Sequence, residues 1–275
     1  MFAIRRSKQD VGGLIPETTV ERSAELTPYQ KHLVDELKVV AAKLKTGEIE
    51  SGKIDELTML NEIKQTFVRI RQIANNPAIL GGRDESDNYD LLVDILNEIL
   101  SDDSERVIVF TEFKEAVNLL STRLSRFSPI VIDDSITNKE EAIKKFENRS
   151  LNHKIMISTP YRIGVGCSFS NTSYMVYVDK PMSGIVYKQS RERIIRRDST
   201  GTLATFINLY STYNDKKFVD HTVDKILLKK EKTHDAFMES ADFIQTKYDI
   251  EEIIELLQGI FNEIKDDYSK SWTSN

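Results

Sequence analysis

Five short apolar runs separated by helical patterns constrain this chain more than any other feature. They occupy residues 107–110 (Val-Ile-Val-Phe), 130–132, 155–157, 175–178 and 204–210. A helical pattern over 91–100 precedes the first run. Val117, Leu120, Leu124 and Phe127 mark a helix after it, and Ala142, Ile143 and Phe146 mark a later one. Runs that are apolar on both faces have no polar face to turn to water, so both faces of their sheet must be covered. Alternation with helices therefore predicts an α/β fold around a parallel sheet. In such sheets ligands bind beyond the carboxyl ends of the strands. Ser158-Thr159, Asp179-Lys180 and the start of the helix near Gln189 fall at that edge.

The flanks are helical. Thr27 reads as an N-cap with Pro28 in the first turn, and Leu33, Leu37, Val40 and Leu44 continue at helical spacing. A second helix carries Leu57, Leu60, Ile63, Phe67, Ile70 and Ala74 on one face and ends at Asn75-Asn76-Pro77. Residues 1–25 read as an extended segment, and 81–88 as a polar loop. Residues 218–230 form a further helix. Ile250, Ile253, Ile254, Leu257, Ile260, Phe261 and Ile264 then line one face of a strongly amphipathic helix. Residues 239–275 hold nine acids against three bases, which argues against membrane or nucleic-acid contact there. The apolar stripe is a docking face, either for this domain or for a missing partner.

At 275 residues the chain has ample core for independent folding. The single cysteine, Cys167, excludes a disulfide framework and suggests a reducing compartment. Four scattered histidines offer no metal-ligand spacing. No run approaches the roughly 20 apolar residues needed to span a bilayer. A net charge of −6 gives no whole-surface attraction for nucleic acid, so any such contact needs a local basic groove.

The residues that point to chemistry lie in Gln189-Ser190-Arg191-Glu192-Arg193-Ile194-Ile195-Arg196-Arg197. If this stretch is helical throughout, Gln189, Arg193 and Arg196 share one face at the carboxyl edge of the sheet. Two planar, permanently charged guanidinium groups and a carboxamide suit a phosphate clamp. The alternative is a solvated basic face. No Gly-x-x-x-x-Gly-Lys-Ser/Thr loop accompanies them, and no Asp-Glu pair is placed after a strand to hold magnesium. A phosphate clamp without a phosphate cradle implies a half-site completed by another domain.

Six segments in order resemble the C-terminal RecA-like lobe of Swi/Snf-type ATPases, in helicase superfamily two. Phe2-Ala3-Ile4-Arg5-Arg6-Ser7-Lys8 resembles the family's segment leading into that lobe. Leu26-Thr27-Pro28-Tyr29-Gln30 and Arg71-Gln72-Ile73-Ala74-Asn75-Asn76-Pro77 resemble its two helical markers. Val107-Ile108-Val109-Phe110-Thr111-Glu112-Phe113 is similar to motif IV. Ile157-Ser158-Thr159 with Gly164-Val165-Gly166 is similar to motif V, and Gln189, Arg193 and Arg196 to motif VI.

The resemblance implies a RecA-like parallel sheet sandwiched by helices, with a helical protrusion on the N-terminal side. It divides the chain into an incoming segment and protrusion (1–85), the lobe (86–238) and an acidic helical extension (239–275). Arg193 and Arg196 would stabilise the transferring phosphoryl group, a contribution worth about 10³-fold or more in rate. Gln189, Gly164, Gly166 and Ser168 would serve the ATP site. Thr111, Lys114, Ser158, Thr159 and Arg162 would serve nucleic-acid backbone contacts, which position without reading sequence.

Several positions depart from the family: Asp198-Ser199 stands for a Gly-Gln pair, Pro160-Tyr161-Arg162-Ile163 for Ala-Gly-Gly, Ser168 for Asn, and Met182 for an aromatic. Met1 sits directly before a family-internal motif, as in a segment cut from a longer chain. The expected activity is that of a double-stranded DNA translocase or remodeller, with this segment inactive alone. ATP and Mg2+ would be bound mainly by the missing N-terminal lobe. Alternatives are a strand-separating DNA or RNA helicase and a catalytically silent protein-binding lobe. The expected location is intracellular, in cytoplasm, nucleoid or nucleus, a viral protein in a host cell included.

Overall fold

The computed structural model describes residues 14–46, 56–163, 167, 169–195, 201–225 and 227–228. In chain order it forms β1 (Glu17–Glu25), α1 (Pro28–Thr46), α2 (Glu56–Asn75), α3 (Asp87–Ile99), β2 (Val107–Phe110) and α4 (Lys114–Arg123). There follow β3 (Ile130–Ile132), α5 (Lys139–Glu147), β4 (Ile155–Ser158), β5 (Tyr174–Tyr177), α6 (Gly184–Arg191), β6 (Ala204–Tyr213) and β7 (Lys216–Lys217). Two compact units result: Met1–Ala24 with Asn88–Tyr210, and Glu25–Asp87 with Ser211–Asn275.

The first unit is a RecA-like α/β fold. Strands run in the order β1-β6-β5-β2-β4-β3, and β7 pairs with β6. The β2–β4, β2–β5, β3–β4 and β5–β6 pairs are all parallel. Because side chains alternate across a strand, β2 feeds two cores. Val107 and Val109 pack with Ile155, Ile157, Leu92 and Leu120 on one face. Ile108 and Phe110 pack with Met156, Tyr177, Phe146 and Phe169 on the other. Burying each such side chain stabilises the fold by about 1.5–3 kcal/mol. Phe110 lies opposite both Ser158 and Tyr177, and Ile132 opposite Ser158. Residues 111, 133 and 159 therefore leave the sheet together at one edge.

Two elements differ from the sequence reading. Part of the extended N-terminal segment, Glu17–Glu25, is a sheet strand lying beside β6. The arginine helix is also shorter than expected: α6 ends at Arg191 with Glu192 as its C-cap. Beyond it the chain tightens into three-residue turns, with Arg193 N donating to Ser190 O at 3.2 Å and Ile194 N to Arg191 O at 3.3 Å, and Ile194 is fully buried.

In the second unit, Thr27 is the expected cap: its Oγ1 accepts from Gln30 N at 3.2 Å, and Gln30 Oε1 accepts from Thr27 N at 3.0 Å. Gln30 Nε2 then donates to the carbonyls of Ile73 and Ala74 at 2.7 and 3.1 Å. The last turn of α2 leaves those carbonyls without helical partners, so one glutamine caps two helices. Phe67, Ile70 and Ala74 are buried as expected. The side chains of Leu57, Leu60 and Ile63, and the acidic extension 239–275, lie outside the described residues. No helix among the described residues is long and apolar enough to cross a membrane.

Candidate functional site

At the carboxyl edge of the sheet the β2 and β5 ends are tied by Asp179, which is buried. Its Oδ1 accepts from Thr111 Oγ1 at 2.6 Å and its Oδ2 from Glu112 N at 3.0 Å. Thr111 is itself fully buried, so its hydroxyl is used inside the lobe and not turned toward a ligand. Ser158 behaves likewise, with no exposed surface and Oγ donating to Ile132 O at 2.8 Å. Both hydroxyls had been expected at nucleic acid. They point instead into the sheet, where an unpaired hydroxyl would be costly to bury. Asp179, which the strand pattern placed at this edge without a role, is the residue that positions the two strand ends.

Lys114, Thr159 and Arg162, also expected at nucleic acid, do converge. They line a cavity of about 230 Å³ together with Ile132, Asp133 and Asp134. Lys114 opens α4, while Arg162 sits in the turn after β4, its amide donating to Thr159 O at 3.1 Å. Both cations pair with Asp134: Lys114 Nζ approaches Oδ2 at 2.6 Å, and Arg162 Nη2 meets Oδ1. Asp133 accepts from Ser135 Oγ at 2.6 Å and Ser135 N at 2.9 Å. The Ser135 hydroxyl above all holds the Asp133 carboxyl below its ordinary pKa, with the Arg162 charge adding to the effect. The Asp-Asp-Ser run directly after the β3 sequence is the signal in the chain for this part of the cavity.

Arg193 stands elsewhere. As β5 and β6 are parallel, α6 must run back from the carboxyl edge, about 12 Å for its eight residues. Arg193 lies two residues past its end, while Gln189 lies within it and is exposed. Its backbone is fixed by Phe169 N donating to Arg193 O at 3.1 Å, and Nη1 donates to Cys167 O at 3.4 Å. Its buried Nε has no acceptor among the described residues. An orphaned guanidinium donor fits a phosphate oxygen, as the ATP expectation requires. Among the described residues no three His, Cys, Asp or Glu side chains converge as a metal site would need. Arg196, Gly164, Gly166 and Ser168 lie outside the described residues.

Arg191, which the pattern left unassigned, is structural. It lies over the Phe206 ring at 4.1 Å and pairs with Glu17 at 3.3 Å, fastening α6 to β1. From beneath, Tyr177 Oη shares a 2.6 Å hydrogen bond with Ser190 Oγ.

Residues 87–198 match the family model of the helicase conserved C-terminal domain. The C-terminal part of the Fun30 ATPase domain superposes with a TM-score of 0.63 at 16% identity, covering 92% of this chain and 99% of that one. The chain resembles a Swi2/Snf2 C-terminal lobe. The Sulfolobus solfataricus SWI2/SNF2 ATPase core in complex with dsDNA gives 0.62 at 17% identity, over 84% of this chain and 48% of that one. The C-terminal domain of the same type of ATPase gives 0.57 at 16% identity, over 80% and 89%. This chain thus spans about half the SWI2/SNF2 core and nearly all of the C-terminal pieces, and at these identities the likeness is one of fold. No curated protein sequence matches the chain significantly.

Proposed function

We propose that this chain is the second motor lobe of an ATP-dependent double-stranded DNA translocase or remodeller of Swi/Snf type. A first RecA-like lobe would carry the phosphate loop and the magnesium carboxylates. Bound there, ATP supplies the phosphoryl group whose transfer to water drives the motor. The observation that carries this reading is Arg193: its backbone is pinned to Phe169, and its Nε has no acceptor among the described residues. A fixed donor directed at charge that develops in the transition state accelerates phosphoryl transfer without reorganising. Arg196 would be its companion, with Gln189, Gly164, Gly166 and Ser168 around the nucleotide. Lys114, Thr159 and Arg162 would hold a DNA backbone phosphate at the other edge of the lobe, coupling hydrolysis to movement. The dsDNA present with the Sulfolobus relative supports double-stranded DNA as the track.

The test compares ATP hydrolysis by this chain alone and by the full-length protein, each with double-stranded DNA, single-stranded DNA and RNA. Negligible turnover by the chain alone is expected, with the full-length protein stimulated most by double-stranded DNA. Preference for single strands or RNA would identify a strand-separating helicase. Absence of turnover throughout would identify a silent protein-binding lobe.

A further inference from the structure

Two cations at the proposed backbone site share one carboxylate. Lys114 Nζ lies 2.6 Å from Asp134 Oδ2, and Arg162 Nη2 contacts Oδ1 of the same group. The three side chains come from three separate elements: the start of α4, the segment after β3 and the turn after β4. A carboxylate bridging two donors presents the same two oxygens that a backbone phosphate would present, so both ligands satisfy the same cations. Asp133 adds a second anion to the cavity wall. Lys114 and Arg162 are thereby matched by Asp133 and Asp134, and no excess positive charge remains among these four.

We propose that Asp134 is a built-in competitor for the DNA phosphate, which binds only as the carboxylate gives up Lys114 and Arg162. This rests on the reading of the cavity as a DNA-backbone site. The arrangement can yield because all three side chains are partly exposed, at 69% for Lys114, 56% for Asp134 and 37% for Arg162. Exposed pairs of this kind are weak, so the competition is set at a few-fold to about tenfold in affinity rather than at a block. Its effect is to keep the lobe from holding DNA statically and to lower the salt sensitivity of binding. Each phosphate contact made by a free cation steepens the dependence of log K on log salt by about 0.9.

The experiment is fluorescence anisotropy of a labelled DNA duplex titrated with this chain at several low salt concentrations. Wild type is compared with Asp134→Asn, with the double variant Lys114→Ala/Arg162→Ala, and with the triple variant. Asp134→Asn is expected to bind about three- to tenfold tighter with a steeper salt slope. The double variant is expected to bind more weakly than wild type. Adding Asp134→Asn to it should change nothing, because the cations it would release are gone. Equal tightening in both backgrounds would reduce the effect to the loss of one negative charge and overturn the proposal. So would unchanged or undetectable binding by Asp134→Asn. If Asp134→Asn is silent while the double variant weakens binding, the competitor fails and the DNA site stands. If neither set of substitutions matters, the DNA site itself fails. Thermal melts confirm that each variant is folded, and Asp134→Ser serves as a second carboxylate deletion.

Discussion

At the scale of single residues, the site divides between side chains facing outward and side chains consumed by the fold. Thr111, Ser158 and Thr159 all follow or end buried strands, and each offers a hydroxyl. Parity along the chain says which face a residue occupies, but it does not say which hydroxyls already have partners. Thr111 and Ser158 have them in Asp179 and Ile132, whereas Thr159 lines the cavity. Replacing Thr111 by valine keeps the shape and removes the donor to a buried carboxylate. We expect a stability loss of about 1.5–3 kcal/mol, read from urea denaturation of the purified chain. An unchanged midpoint would mean that Asp179 is satisfied without Thr111. Arg193 was legible as a candidate, because guanidinium groups suit phosphate. Its neighbours Cys167 and Phe169 were not, since they are more than twenty positions away in sequence.

Among the elements, the strands written in consecutive apolar residues were the legible ones. β2 is buried at all four positions and so declares itself in composition alone. β1 is polar, Glu-Thr-Thr-Val-Glu-Arg-Ser-Ala-Glu, and exists because β6 supplies the hydrogen-bonding neighbour. No local signal carries that pairing. The β6–β7 hairpin was equally hidden: Asn214 and Asp215 take positive φ values of 50° and 61°, the pair a two-residue turn requires. Glu25 fastens this turn, accepting from Asn214 N at 2.6 Å and from Thr212 Oγ1 at 2.5 Å, and pairing with Lys31 at 2.6 Å. Burial alone would raise the Glu25 carboxyl, but the bonds from Lys31, Thr212 and the turn amides together lower it below its ordinary pKa. A depressed carboxyl stabilises the fold fully above its unfolded pKa, and that stabilisation is lost as pH falls through the folded value. Glu25→Gln should therefore melt earlier than wild type at neutral pH, by about 1 kcal/mol for this partly exposed group. The two melting curves should converge in acid. A gap that persists below the carboxyl range would show that the loss is not tied to ionisation.

For the whole molecule, two sequence facts matter most: no Gly-x-x-x-x-Gly-Lys-Ser/Thr run occurs in it, and the net charge is −6. The two compact units are each assembled from segments far apart in the chain, Glu25–Asp87 with Ser211–Asn275 and Met1–Ala24 with Asn88–Tyr210. Reading the chain in order divides it at linear boundaries and so misses such interleaving. Acting alone, the chain is expected to hydrolyse no ATP and to bind DNA only weakly, with affinity that falls as salt rises. The role proposed for the arginines after α6 is to act on the phosphates of ATP. Its most direct test is DNA-stimulated ATP turnover by the full-length protein carrying Arg193→Ala, Arg196→Ala or the lysine substitutions, titrated with double-stranded DNA. A donor useful only in the transition state affects turnover more than ground-state binding. Either alanine substitution should cut maximal turnover by about 10³-fold while leaving DNA affinity and melting temperature close to wild type. Lysine should rescue poorly, because it keeps the charge but loses the paired planar donors. Near-normal turnover in both alanine variants would contradict the account, leaving these arginines as a structural and solvated basic segment.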